Sequence, residues 1–324
     1  MKCFVTGGSG FIGSNLISML IDEGHEVLAM ARSEESANKI KNLGTTPIAV
    51  DMSTTDHLAK DLEGCSAVFH LATAGFHGGY DETYKINVTG TEKLIEAAKK
   101  AKVKKFIYIS TAAIILRGKP VYDADESFVI HGLPKGKYCK TKVLAEEIVR
   151  KYNSVEFETV IIRPPLVWGR GSVVKFLVEA TKENKLGWFN HGKYKIPISH
   201  VKNLCHAIIL AFKNGRAGEM YYVVDKKHVI FRDFLTDVLE TQGLEPPTKN
   251  MNRTLALVMG NVVPVFWKLM KKEGPPPIDA ELIHMQGTEY TISDKKAREE
   301  LGYEEIISYE EGIEDLRAGF SDPS

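Results

Sequence analysis

Lys2-Cys3-Phe4-Val5-Thr6-Gly7-Gly8-Ser9-Gly10-Phe11-Ile12-Gly13 is the stretch whose reading decides the fold. It reads as a short buried strand, a glycine turn and the first turn of a helix. Gly7, Gly8 and Gly10 let the backbone turn tightly and leave no side chain between it and a ligand. Gly13 lets the helix pack close to the sheet. Asn15 to Ile21 then carries apolar residues at helical spacing, and Gly24 closes the helix. A helix N-terminus with free N–H groups favours a pyrophosphate. A glycine fingerprint alone also fits an ordinary turn. Strand before and helix after favour a dinucleotide site in which Gly7, Gly10, Phe11, Ile12 and Gly13 are the contacts.

The chain has 324 residues, long for one domain and suggestive of two. Lys+Arg and Asp+Glu balance at 42 each, so no global charge argues for nucleic acid. The basic run from Lys99 to Lys105 falls at an expected helix end, where cations suit the dipole. Cys3, Cys65, Cys139 and Cys205 show no metal-ligand spacing, so no metal is expected and a reducing, cytoplasmic setting is. The first strand starts almost at Met1, and no run of eighteen apolar residues exists, so neither a signal peptide nor a spanning helix is expected.

Beyond Gly24, His25–Met30 reads as a second strand, ending near Arg32. Arg32 stands nineteen residues after Gly13, where an acid would accept from the ribose of NAD. An arginine there suits a 2′-phosphate instead, so NADP(H) is expected in preference to NAD(H). Thr46–Met52 reads as a third strand, with Asp51 facing the adenine amino group and Met52 the ring. A short helix is expected over 56–63, a buried strand over Ala67–Ala72, a long helix over Tyr84–Lys100 and a fifth strand over Lys105–Thr111. This alternation predicts an α/β, Rossmann-type doubly wound parallel sheet.

The second informative stretch is Tyr138-Cys139-Lys140-Thr141-Lys142, which opens a helix running to about Tyr152. Tyr138 and Lys142, four apart, share a face. A nearby ammonium and a positive nicotinamide would stabilise a phenolate, making Tyr138 a proton donor or acceptor for a carbinol–carbonyl pair. Ser110 and Thr111 end a parallel strand at its carboxyl edge, where ligands bind in such sheets. By itself Tyr-x-x-x-Lys is a common accident on exposed helices, and its weight comes from the glycine turn upstream.

These segments occur together with His70-Leu71-Ala72, Asn87-Val88-Thr89-Gly90-Thr91, Arg163-Pro164-Pro165-Leu166-Val167-Trp168-Gly169, Ile198–Leu204 and Tyr290–Tyr303. In that order the chain resembles the extended short-chain dehydrogenases/reductases over nearly its whole length. Within the epimerase/dehydratase superfamily it is most similar to the 3β-hydroxysteroid dehydrogenase-like branch. The resemblance implies Tyr138 as catalytic acid/base, Lys142 on the nicotinamide ribose, and Thr111 as the catalytic hydroxyl. It implies Leu71, Ala72 and Thr73 under the cofactor and Pro164 near its amide. Ala112 and Ala113 stand where similar sugar-nucleotide dehydratases have Asp-Glu, so a 4,6-dehydratase is not expected.

Other polar residues have plainer readings. His70 in an apolar strand reads as a bonded core histidine. Asn87 either kinks the long helix around a water or faces the cleft. His200 starts a helix and orients the loop before it. The expected substrate pocket is walled by Phe76, Ala112 and Trp168. The expected division is a dinucleotide domain over 1–170, with a returning segment at about 198–227, and a smaller substrate domain from 171–197 and 228–324. Leu255 to Trp267 is unusually apolar: core packing, a lid, or a peripheral membrane contact through 255–270. Pro264 argues against one straight helix there, and Gly274-Pro275-Pro276-Pro277 predicts a stiff connector.

The expected activity is NAD(P)-dependent interconversion of a secondary alcohol and a ketone on a mostly apolar small molecule. One rival is a nucleotide-sugar epimerase using the same Thr111, Tyr138 and Lys142. That rival needs basic groups for a diphosphate, and beyond Arg170 few candidates stand out. Another is a non-catalytic NADP-binding sensor. A homodimer through a pair of helices is the usual assembly of similar proteins.

Overall fold

Seven strands form one parallel sheet in the computed structural model, which describes residues 1–52, 58–75, 79–270 and 280–321. They are β1 Lys2–Thr6, β2 Glu26–Ala31, β3 Thr46–Ala49, β4 Ala67–His70, β5 Lys105–Ile109, β6 Glu158–Arg163 and β7 Met220–Tyr222. Their order is β7-β6-β5-β4-β1-β2-β3, and every pairing is parallel. The order reverses between β1 and β4, the switch point at which such sheets open a crevice. Every residue of β4 is buried, as a strand covered on both faces requires.

The helices considered below are α1 Phe11–Asp22, α2 Glu34–Asn42, α3 Gly90–Lys100, α4 Lys137–Lys151, α5 Ser172–Lys182, α6 Val201–Asn214, α7 Phe231–Glu240, α8 Arg253–Leu269, α9 Ala280–Met285 and α10 Tyr309–Ser321. Leu16, Ile17 and Leu20 of α1 and Leu204 and Ile208 of α6 cover one face of the sheet over Val5 and Ile107. Leu94 and Ile95 of α3 and Ala145 and Val149 of α4 cover the other over Phe4, Val68 and Phe106. A further core gathers Trp168, Tyr194, Phe234, Val238, Tyr290 and Tyr309.

Several expectations change in detail. β3 stops at Ala49, three residues short of Met52. The long helix starts earlier, as an α-turn over Tyr80–Tyr84, then a π-turn over Lys85–Thr89 that holds Asn87, then α3. Of the helix expected over 56–63, Leu58–Asp61 is helical, and its start lies outside the described residues. α8 is a single helical run through Pro264, contrary to expectation. A proline inside a helix removes one N–H and costs about 3 kcal/mol. The Gly274–Pro277 connector lies outside the described residues. Ala297, Leu301 and Tyr303, expected on the substrate side, pack into the core under the sheet. Among the described residues no helix is long and apolar enough to cross a membrane.

Candidate active site

The carboxyl ends of β1, β4 and β5 meet at the crevice, and each is shaped by what its residues can bond. Gly7 turns with φ +71°, and its carbonyl accepts from the Gly10 N–H at 3.0 Å. A Cβ at Gly7 would sit 3.0 Å from the Ala72 nitrogen, and one at Gly13 would overlap the Gly7 carbonyl oxygen. The turn thus has room for backbone and ligand only. α1 begins at Gly10 with no side-chain cap and no acid in its first turn, so its N–H groups face the crevice uncompensated. Phe11 packs against Gly171, and the Ile12 carbonyl accepts from Cys205 Sγ at 3.6 Å.

A hydrogen-bond chain holds the neighbouring loop. Thr6 Oγ1 accepts from the Leu71 and Ala72 N–H groups, both at 3.1 Å, and lies 2.7 Å from His70 Nδ1. His70 Nε2 lies 2.8 Å from Thr91 Oγ1, whose own proton goes to the Asn87 carbonyl. Direction follows: Nε2 carries the proton, Nδ1 accepts from Thr6, and the ring is neutral. Burial pushes the His70 pKa down to about 3, with the Lys142 charge adding to it. His70 is therefore the bonded core histidine the sequence suggested. Asn87 Oδ1 accepts from the Ala74 N–H at 2.8 Å and Thr73 Oγ1 at 3.2 Å, while its Nδ2 donates to Thr141 Oγ1 at 3.0 Å. The π-turn aims this one amide so that it joins the loop after β4 to α4.

α4 brings Tyr138 and Lys142 to the end of β5. The Thr111 hydroxyl faces the Tyr138 phenol and favours its ionised form. It also accepts from the Ala113 N–H at 3.2 Å, which caps the short 3₁₀ turn that follows. The Ala112 N–H donates to the Pro164 carbonyl at 2.8 Å, so the ends of β5 and β6 are tied. Lys142 is 2 % exposed; its Nζ donates to the Ile109 carbonyl at 2.6 Å and stands 4.2 Å over the Tyr108 ring. Burial brings its pKa down to about 7, against a partial rise from Glu146. Glu146 in turn takes Arg163 in a two-pronged pair at 2.8 and 2.5 Å, and Arg163 reaches the Tyr222 hydroxyl at 3.1 Å. This buried trio pins α4 to β6 and β7. Burial pushes the Tyr138 phenol well above the usual range, Cys139 and Glu281 add to the rise, and the Thr111 hydroxyl works the other way. The depression expected from Lys142 is not among these influences, and the phenol's value moves up rather than down. The buried Ser110 Oγ has no hydrogen-bond partner among the described residues.

At the other end of the crevice lies an open cleft of about 520 Å³ lined by Arg32, Ser33, Lys41, Pro47 and Asp51 among others. Arg32 and Asp51 are both exposed there. Met52 is 4 % exposed and packs against Gly90, so it is a core contact rather than a surface for a ring. Trp168 also departs from its expected place in the pocket wall. It is 1 % exposed, its Nε1 donates to Asp225 at 3.0 Å, and its ring meets His200 edge-on at 4.8 Å. It is a core residue because its apolar faces are covered and its one donor is satisfied inside. Ala112 stays beside Thr111 but is fully buried. Phe76 lies outside the described residues. His200 caps α6 by accepting from the Lys202 N–H at 3.3 Å.

Thr6, Thr141 and Glu281 are positioning groups that sequence reading passed over. Thr6 sits one residue before the glycine turn, and that adjacency was a usable signal. Glu281 bonds the Tyr138 and Cys139 N–H groups from far along the chain, and nothing local marks it.

A sequence model of the 3-beta hydroxysteroid dehydrogenase/isomerase family matches residues 4–253. The chain is 34 % identical over 98 % of its length to 96 % of a 4-hydroxy-2-methyl-3-oxo-4-farnesyl-3,4-dihydroquinoline-1-oxide ketoreductase from Stigmatella aurantiaca. It is 31 % identical over 97 % of its length to 99 % of a decarboxylating sterol-4-alpha-carboxylate 3-dehydrogenase from Dictyostelium discoideum. Among solved structures, UDP-glucuronic acid 4-epimerase from Bacillus cereus in complex with NAD superposes with a TM-score of 0.76 over 99 % of this chain and all of that one, at 21 % identity. That likeness is one of fold.

Proposed function

The chain belongs to the 3-beta hydroxysteroid dehydrogenase/isomerase family, and from that membership we propose that it is an NADP(H)-preferring oxidoreductase that interconverts a ketone and a secondary alcohol on a mostly apolar small molecule. One observation carries the reading. The Thr111 hydroxyl and the Tyr138 phenol face each other at the carboxyl edge of the sheet.

A carbonyl oxygen entering between them would accept two hydrogen bonds, and Tyr138 is held in the proton-donating form by its burial. When bound, the nicotinamide supplies the hydride. The glycine turn and the end of α1 fit a diphosphate, because no side chain could occupy that space. Arg32, with Ser33 and Lys41 in the same cleft, suits a 2′-phosphate. Lys142, held by the Ile109 carbonyl at the end of β5, would offer its remaining N–H groups to a ribose hydroxyl. Arg170 weighs against the epimerase rival. Its Nε is already engaged by the Asp315 carbonyl at 2.8 Å and carboxylate at 3.1 Å.

Two partner readings follow the same line. Tyr84 and Val88 form a groove with Leu144 and Ile148 of α4, which suits a second copy of this chain joined helix to helix. Leu255, Val258, Val262, Val265, Phe266 and Leu269 are exposed along α8, which suits shallow contact with a lipid surface.

The deciding experiment follows NADPH oxidation against apolar ketones, 2-alkyl-3-oxo acids and UDP-sugars. Net NADPH consumption with a ketone supports the proposal; UDP-sugar interconversion without net consumption overturns it. Tyr138→Phe should lower turnover by about 10²–10⁴-fold while NADPH still binds. Arg32→Asp should shift preference toward NADH, and unchanged NADPH affinity would count against the 2′-phosphate assignment.

A further inference from the structure

The helix that carries Tyr138 lacks a cap of its own. Its N-cap is Gly136, which has no side chain, and its first turn holds no acid. The second and third N–H groups of such a helix need an outside acceptor. Here that acceptor is Glu281, 7 % exposed, whose Oε2 accepts from the Tyr138 N–H at 3.2 Å and Oε1 from the Cys139 N–H at 3.0 Å. Gly136 makes the approach feasible, because a Cβ there would overlap the Glu281 carboxylate. Glu281 stands on α9, and α9 lies backbone-close to α8: a Cβ at Gly260 would sit 2.8 Å from the Ala280 nitrogen. The acceptor for the Tyr138 helix thus arrives with the late, apolar part of the chain.

We propose that Glu281 is a positioning residue for the reaction, a carboxylate brought by α9 that caps α4, holds Tyr138 in place and keeps its phenol protonated. The proposal rests on the assignment of Tyr138 as the acid. An uncapped helix N-terminus is positive and would stabilise a phenolate beside it. A carboxylate on the same N–H groups cancels that field. The site is therefore set for ketone reduction when α9 is docked, and loses both alignment and the hold on the proton when it is not. The groups facing the phenol are Cys139 from α4, Thr111 and Tyr108 from the end of β5 and the residues after it, and Glu281 from α9, with Arg117 facing Cys139. Among them Glu281 is the one bonded to the Tyr138 backbone.

Two measurements on the full chain test this, and the first needs no substrate. In the wild type the Tyr138 and Cys139 amides should exchange slowly with solvent hydrogen, and Glu281→Ala should remove that protection while amides deeper in α4 keep theirs. Rapid exchange of both amides in the wild type overturns the cap, whatever the enzyme acts on. The second uses the ketone and alcohol pair on which the wild type is most active. Glu281→Gln keeps the size and one acceptor but removes the charge. The acid limb of alcohol oxidation should then move about one pH unit lower, a tenfold change in the phenolate equilibrium. Glu281→Ala should also lower kcat for reduction about tenfold with KM for NADPH unchanged. A merely structural cap would leave the limb where it was, and an unmoved limb in Glu281→Gln overturns the proton-holding role.

Discussion

Lys142 shows how far surroundings can move a single side chain. An ammonium with 2 % exposure keeps one carbonyl, that of Ile109, and the face of Tyr108 in exchange for water. Its pKa falls to about 7, burial being the main cause, while the unfolded chain titrates near the ordinary lysine value. Between those two values the unfolded state binds more protons, so stability rises with pH across that window. The wild type should gain on Lys142→Met by up to about 1.4 kcal/mol per pH unit above neutrality, read by urea denaturation at several pH values. A difference that stays constant with pH would refute the buried titration. Tyr138 and Lys142 themselves were legible in the sequence, because a spacing of four on one helix is a local fact. The environment that sets their protons was only partly so: Glu146 lies one turn along the same helix, but Tyr108 and Glu281 converge on them from two distant places in the chain.

At the scale of elements, the strand–turn–helix at the start of the chain is stiff where the sequence marked it. Gly13 is the tightest point, since a Cβ there would meet the Gly7 carbonyl within the backbone itself. Gly13→Ala should cost about 1–3 kcal/mol and weaken NADPH binding, measured by thermal unfolding with and without NADPH. Gly79→Ala, where a Cβ meets nothing within 4 Å, is the control and should change little. The glycines, β1 and the start of α1 were readable because each depends on neighbours in sequence. The ends of other elements were less so. β3 ended early, and α8 is helical on both sides of its proline.

For the whole molecule, the last stretch of the chain stabilises the first. Tyr303 is 1 % exposed within the core under β1, with its hydroxyl on the Val224 carbonyl at 3.3 Å. Tyr303→Ala should cost about 3–5 kcal/mol and lower the urea midpoint of one cooperative transition. A separate early transition for the C-terminal stretch alone would refute this shared core. The sequence by itself determined the parallel α/β architecture, the glycine turn and the shared helix of Tyr138 and Lys142, because periodicity, glycine placement and helical spacing act over a few residues; Thr111 was singled out by the family resemblance. Only the tertiary structure decided that Trp168 and Met52 are core rather than pocket, that Asn87 ties the loop after β4 to α4, and that Glu281 caps the helix carrying Tyr138. Those outcomes depend on which distant groups fill the same small volume and satisfy the same buried N–H, and no local pattern encodes that competition.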